Sequence, residues 1–505
     1  MIIRLLAAVA GGLAMWLANE PVGWWVFAFI GLALLWLAVR GRGVAAGFGL
    51  AWVWGFAFFL PLFHWATEAS GTILAQIALA AVEAVYIGVL GSVWALIARF
   101  DRMENLRPTA RTTIQILLAV FTWLAMEQLR SAWPFGGMPW GTLGFALVDS
   151  PLVRFAPYGS TVLVGGLGVV IALLLAMTIR MTFLGATLAV VSVLGLVILP
   201  VIVPIGANAP ATMNIAVVQG NIPEDGAKNR ALTVTQNHAE ATRTLLAEST
   251  ITPDLIVWPE SSSDRDVRRD GQAGEIVFGL VDEFGIPLVM GTQEYVDGGR
   301  YNDVLVIEPQ VGVTDRYSKQ HPVPFGEYVP YRDFFRNFTP AVDLVGTDML
   351  AGEEPANVFV QIGQSAVNLA VPICFEVAYN EIVAQSVNNG AQLIVVPTNN
   401  ASFKETGLSA QQFAMSRFRA IEHQRTVIQV STSGITGVIN SHGQIAYETK
   451  LFTQDARVIQ VGLHEDTTIA TRTAEVRVVV IYILGAASAM VAGVVAFSSR
   501  DRGRS

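Results

Sequence analysis

The sequence predicts an α-helical transmembrane bundle of about eight helices, joined to an α/β domain of layered sheets with helices outside. Three observations carry that prediction. Of 505 residues, 53% are apolar and only 14% are charged, against roughly 25% charge in an average soluble domain. The charge is unevenly divided: residues 1–205 hold ten Arg, no Lys and seven acids, whereas residues 206–505 hold 22 bases and 33 acids. The apolar pattern changes at the same place, from long unbroken windows to short β-rich runs separated by polar stretches. An acidic second half without a basic run excludes nucleic acid as a partner, because phosphate contacts need clustered Lys and Arg.

The membrane part comes first. A bilayer core of roughly 30 Å needs about 20 apolar residues in helical form, and eight windows approach that size: 5–18, 21–39, 44–63, 72–98, 112–126, 160–179, 183–205 and 478–497. The first and fifth are short. The first has a charged start but no small-residue cleavage site before the next apolar run, so it reads as a retained helix. Arg40 and Arg42, the arginines of 99–111, Arg180 and those of the tail 500–505 fall on one side if both termini are cytoplasmic, where loop arginines accumulate. The segment between the seventh and eighth windows then lies on the extracytoplasmic face. Ionisable groups are costly at membrane depth; His64, Glu83 and Glu127 read as structural, Glu127 pairing with Arg130 one turn later. Trp133, Trp140 and Tyr158 fit an interfacial aromatic belt.

These windows divide the chain into 1–210 with seven helices, a tethered domain at 211–469, and 470–505 with the last helix and a tail. In the tethered domain MNIAVVQ, DLIVWP, PLVMGT, DVLVIEP, AVNLAVPICF, AQLIVVPT and TVIQVS read as strands, and 232–248 and 410–424 as polar helices between them.

Three stretches of this domain, two of them strand ends, carry a reactive residue type: Glu260 closing DLIVWPE, Lys319 in DRYSKQHPVPFGEYVPYR, and Cys374 in NLAVPICFE. The spacings are 59 and 55 residues, so only the fold can bring them together. Each has a plain alternative. A lone cysteine is often a small buried hydrophobe, a Glu after Trp-Pro can cap a turn, and a Lys beside Gln-His commonly lies on a solvated loop. Together they form a chemical set, since a thiol attacks a carbonyl when a base removes its proton and a cation or hydrogen-bond donor stabilises the new charge. The single cysteine in the chain forms no internal disulfide, and a thiolate zinc site is excluded. No metal or cofactor is implied.

The three contexts, VWPE, YSKQHPVPFGEYVP and ICFE, resemble the nitrilase superfamily, whose members place a Glu-Lys-Cys triad in an αββα sandwich. The resemblance implies Glu260 as general base, Cys374 as nucleophile and Lys319 as the cation beside the oxyanion, with the Phe375 backbone N–H as a second donor. Glu327 matches the superfamily's supporting glutamate, and Glu376 would stand behind the site. Either glutamate also reads as an ordinary ion-pair partner.

With the membrane helices included, nearly the whole chain resembles the apolipoprotein N-acyltransferase family. EQLRSAWPFGGMPWGTLGFALVDSPLVRFAPYGS (127–160) is similar to the family's long outer loop, and VVQGNIP (217–223) to the opening of its catalytic domain. The chain departs from the family in lacking an aromatic at 224–230, in carrying Phe375 where many members have Tyr, and in Ser402 where Trp is frequent. The resemblance implies a bacterial inner-membrane enzyme that moves an acyl chain from a phospholipid through a cysteine thioester to the N-terminal amine of a diacylglyceryl-cysteine apolipoprotein. Phe334, Phe335 and Phe338, in the loop 331–355, are candidates for a lid, with an internally packed loop as the alternative. Two other functions stay open on the sequence: a membrane-tethered nitrilase or amidase acting on water, and a non-catalytic lipid- or lipoprotein-binding scaffold.

Overall fold

The computed structural model describes residues 1–103, 106–178, 183–207, 209–223, 229–337 and 340–501. The expectations attached to Arg180, Phe338, residues 224–228 and residues 502–505 lie outside the described residues. The chain divides into two compact units, Met1–Pro204 with Thr473–Ser505, and Ile205–Arg472.

In the first unit the apolar windows form helices, because a backbone surrounded by lipid must pair its own N–H and C=O groups. Six helices among the described residues are long and apolar enough to cross a membrane: Val44–Leu62, Ile73–Asp101, Pro108–Arg130, Pro151–Thr178, Gly185–Ile202 and Ala474–Ala496. Two shorter apolar helices, Ile2–Leu17 and Val26–Val39, occupy the first two windows. The fifth helix is longer than its window, since Pro108 suits a first helical turn and the polar residues after it continue the helix. Ile73, Val89, Leu194, Ile483 and Val494 are each more than half exposed on these helices, an outward apolar face suited to lipid.

Inside the unit Arg130 pairs with Glu83 of another helix at 3.1 Å and donates to the Trp140 carbonyl at 2.8 Å. Glu127 accepts the Leu143 N–H at 2.8 Å and so fastens the following loop. Trp140 differs from the interfacial expectation. It is 1% exposed and packs edge-on against Trp65, with ring centres 6.0 Å apart, because its backbone is held inward by Arg130. Trp133 and Tyr158 are exposed.

The second unit is built from twelve strands among the described residues: β1 (Ala211–Gln219), β2 (Leu255–Val257), β3 (Leu288–Val296), β4 (Gly299–Glu308), β5 (Gly312–Ser318), β6 (Asn357–Ile362), β7 (Ser365–Ala370), β8 (Leu393–Thr398), β9 (Val427–Ser431), β10 (Gly437–Ile439), β11 (Ile445–Glu448) and β12 (Asp455–Leu463). They form two six-stranded sheets, β12-β1-β2-β3-β4-β5 and β11-β10-β9-β8-β7-β6. Each sheet has three central parallel strands, β1 to β3 and β7 to β9, flanked by antiparallel ones. The parallel strands are apolar on both faces, as strands covered on both sides must be.

Helices Arg230–Glu248 and Gly271–Phe284 cover the first sheet, where Ala239, Val277 and Leu280 pack with Ile256, Trp258 and Leu288 in one buried cluster. Each buried Val, Leu or Ile among them contributes about 1.5–3 kcal/mol. Helices Asn380–Asn388 and Leu408–His423 cover the second sheet. The remaining faces meet, for example where Thr436 Oγ1 donates to Gln219 Oε1 at 2.6 Å. The layers are therefore αββα.

Candidate active site

Glu260, Lys319 and Cys374 each follow the C-terminal end of a strand: β2, β5 and β7. Three local devices set their backbones. Ser261, directly after Glu260, has φ +52°, and Gly291 of β3 lies so close that a Cβ there would stand 2.6 Å from the Glu260 Cα. The Lys319 N–H donates to the Asn302 carbonyl at 2.9 Å, and its own carbonyl accepts the Gly352 N–H at 2.8 Å. Cys374 begins the 3-10 helix Cys374–Ala378 with φ +53°, a conformation that costs a non-glycine residue of order 1–3 kcal/mol and persists only when its surroundings hold it.

The structure brings the three side chains together. Lys319 is fully buried; its Nζ donates to Glu327 Oε1 at 2.6 Å and stands 3.5 Å from Glu260 Oε1. Glu327 is held in turn by the Val323 N–H at 2.7 Å. Glu260 accepts from Asn302 Nδ2 at 2.6 Å and from the Asn399 N–H at 2.7 Å, and the Cys374 thiol hydrogen-bonds to it. Burial opposes a charge on Lys319, but Glu327 and Glu260 outweigh it and raise its pKa well above the ordinary lysine value. Burial lifts the Glu260 carboxyl above the usual range, Lys319 opposing and Glu327 adding to the shift. Burial also pushes the Cys374 thiol up to about 12, with the Glu260 charge adding and Lys319 opposing. The resting site thus holds a neutral thiol beside a cation and two carboxyl groups.

Glu376 links the two loops that carry Lys319 and Cys374. Its carboxylate accepts from Tyr317 Oη at 2.9 Å on both oxygens, from the N–H groups of Gln320 at 2.7 Å and His321 at 3.0 Å, and from the Ile373 N–H at 2.7 Å. Burial raises its pKa, with Lys319 and these donors opposing. Charge-assisted bonds of this kind offset much of the desolvation of a buried carboxylate. Phe375 is nearly buried, its ring edge-on to Tyr379 with centres 5.5 Å apart.

Four residues around this cluster lay outside the sequence reading: Asn302, Tyr317, Asn399 through its backbone N–H, and Gln412, whose Nε2 donates to Cys374 Sγ at 3.5 Å. One signal was available, the TNN at the end of the apolar run AQLIVVP, since polar residues closing a buried strand point at a site. In the loop after Lys319, Phe335 packs against Val329, Val342 and Val345, while Phe325, Tyr331, Phe334 and Leu344 are about half exposed or more. Phe335 is thus packed within the loop, and Phe334 carries the exposed face.

Residues 11–174 match the apolipoprotein N-acyltransferase N-terminal domain, and residues 214–473 match the carbon-nitrogen hydrolase family. An apolipoprotein N-acyltransferase of Mycolicibacterium smegmatis is 32% identical, over 97% of this chain and 85% of its own. The chain belongs to the apolipoprotein N-acyltransferase family. Another apolipoprotein N-acyltransferase, from Photobacterium profundum, is 25% identical over 89% of this chain and 87% of its own. Among solved structures, Nit3 of Saccharomyces cerevisiae, a member of branch 10 of the nitrilase superfamily, aligns with a TM-score of 0.39 at 17% identity, covering 54% of this chain and 97% of that one. As an apolipoprotein N-acyltransferase family member the chain is an enzyme, a transferase built on membrane helices and a carbon-nitrogen hydrolase domain. A tethered amidase or a scaffold leaves the match over 11–174 without a reason.

Proposed function

We propose that the chain transfers a fatty acyl group from a membrane phospholipid to the N-terminal amine of a diacylglyceryl-cysteine apolipoprotein, through a thioester on Cys374. The observation that supports this reading most is the proximity of Glu260, Lys319 and Cys374 in a domain whose partner half matches an N-acyltransferase. In the first half-reaction Glu260 takes the thiol proton while the sulfur attacks the ester carbonyl. Negative charge moves from carboxylate to sulfur and then to the oxyanion, so the total charge beside Lys319 is constant and no new charge is buried. Lys319 and the Phe375 N–H stabilise the oxyanion. The ester bond breaks, the lysophospholipid oxygen takes the proton back from Glu260, and the thioester remains. In the second half-reaction the acceptor amine attacks the thioester and yields its proton to Glu260. The sulfur leaves and is reprotonated.

Glu327 holds Lys319 in place, and Glu376 fixes the spacing of the two loops. The domain stands on the extracytoplasmic face of the bacterial inner membrane with both chain termini in the cytoplasm. The membrane setting suits the substrates, because each buried CH₂ of an acyl chain is worth about 0.8 kcal/mol and transfer through water is strongly disfavoured. Phe334, exposed on the loop that follows Lys319, dips into the headgroup region.

Reconstitution in vesicles tests the reading. With an acyl-labelled phospholipid and a diacylglyceryl lipopeptide, label should appear on the peptide amine together with lysophospholipid. Free fatty acid without acylated peptide would instead identify a hydrolase.

A further inference from the structure

The sulfur of Cys374 receives a hydrogen bond whose direction is set several groups away. The chain begins at the Gly434 N–H, which donates to Ser431 Oγ at 2.9 Å. The serine oxygen accepts this bond, and the hydroxyl donates its own proton to Asn400 Oδ1, 3.4 Å away. With its oxygen engaged, Asn400 presents Nδ2 to Gln412 Oε1 at 2.9 Å. Gln412 then has its amide nitrogen left for Cys374 Sγ, at 3.5 Å. Ser431, Asn400 and Gln412 are all at most 1% exposed, so water does not compete for these groups. Gly434 has no room for a side chain: a Cβ would stand 2.7 Å from Ser431 Oγ and 2.9 Å from the Asn400 Cβ. Reversing the Gln412 amide would set its N–H2 against the Asn400 N–H2, two donors facing each other, and turn its oxygen toward a sulfur whose proton is directed at Glu260.

We propose that Gln412 is a further catalytic residue, which donates to the Cys374 sulfur and stabilises it as a thiolate. This rests on Cys374 being the nucleophile. A neutral donor favours the charged form of its partner over the protonated one, and the thiolate occurs twice in the cycle, as attacking group and as leaving group. The donor complements Lys319, whose shortest contact is with Glu327 at 2.6 Å. The charged or titratable groups acting on the thiol are Glu260, Lys319 and Glu327. All three are kept in the variants below.

The solitary cysteine makes the test direct, because iodoacetamide reads only Cys374 in the full-length protein in lipid nanodiscs. Alkylation rate against pH is recorded for the wild type, Gln412→Leu and Gln412→Glu. Loss of one hydrogen bond to a charged atom should slow alkylation at a fixed alkaline pH about tenfold in Gln412→Leu and move the profile to higher pH. Gln412→Glu, which places an acceptor at the sulfur, should move it further in the same direction. Profiles superimposable on the wild type would overturn the proposal. Ser431→Ala keeps Gln412 and removes only the orienting hydroxyl, so it reads the same effect if Gln412→Leu does not fold. A smaller shift of the same sign is expected, and no shift counts against the proposal. Continued acyl transfer by Cys374→Ala would separately refute the nucleophile on which the proposal rests.

Discussion

Lys319 shows how one buried charge organises the cluster. Removing its ammonium in Lys319→Met leaves Glu260 and Glu327 facing each other without a cation, so acyl-enzyme formation should fall at least about a hundredfold. Mass spectrometry of Cys374 after incubation with phospholipid would measure this. Glu260 has to be ionised to accept a proton, and its pKa is raised. Acylation should therefore increase with pH through a midpoint above the ordinary carboxylate range, and Glu260→Gln should remove that limb along with about 10²–10⁴ of the rate. These residues were legible in the sequence because their types are scarce or their contexts distinctive: the chain has one cysteine, and the glutamate and lysine sit in VWPE and YSKQHPVPFGEYVP. Asn302 and Gln412 were not legible. Amides are common, and the contacts of these two span 42 and 38 residues with no periodicity to mark them.

At the level of elements, the site depends on how closely strands approach. Gly291→Ala would drive a methyl into the Glu260 backbone, costing about 1–3 kcal/mol of stability and slowing acylation by displacing the base. Thermal unfolding and single-turnover acylation measure the two effects. Helix Arg230–Glu248 carries His238, fully buried with Nδ1–H donating to the Val234 carbonyl at 2.8 Å. Burial lowers its pKa to about 4, the hydrogen bond opposing. The unfolded chain therefore binds more protons below the ordinary histidine value, and acidification from about 6.5 to about 4 should destabilise this domain by about 3 kcal/mol. A thermal midpoint that falls less over this range in His238→Leu would bear this out. In the loop, Phe334→Ser should slow acylation by vesicle phospholipid and leave alkylation by iodoacetamide unchanged. The apolar central strands were readable from their β-branched runs, whereas β5, β6, β10, β11 and β12 escaped. β5, β6, β11 and β12 are only partly buried and mix polar with apolar residues, as in NVFVQI, and β10, though buried, is only three residues long, so none of them stands out from a loop in a single sequence. Helix Gly271–Phe284 was also missed, although Asp270 caps its start and Gly285 its end.

For the whole molecule, the division of solvents was plain from composition, because an outward apolar face and a charge-poor half leave few alternatives to a membrane. The first two helices show the limit of that reading: at 16 and 14 residues their apolar content is clear, but their length is below a full crossing. A transferase working through a thioester should show ping-pong kinetics, with parallel double-reciprocal lines for phospholipid and lipopeptide. The most direct measurement withholds the acceptor. The full-length protein is incubated with a single defined phospholipid, and the intact chain and its peptides are weighed. The account predicts a mass gain equal to that phospholipid's acyl group, located on Cys374 and discharged on addition of lipopeptide. An acyl group on any other residue, or transfer to lipopeptide without a covalent adduct, would contradict it.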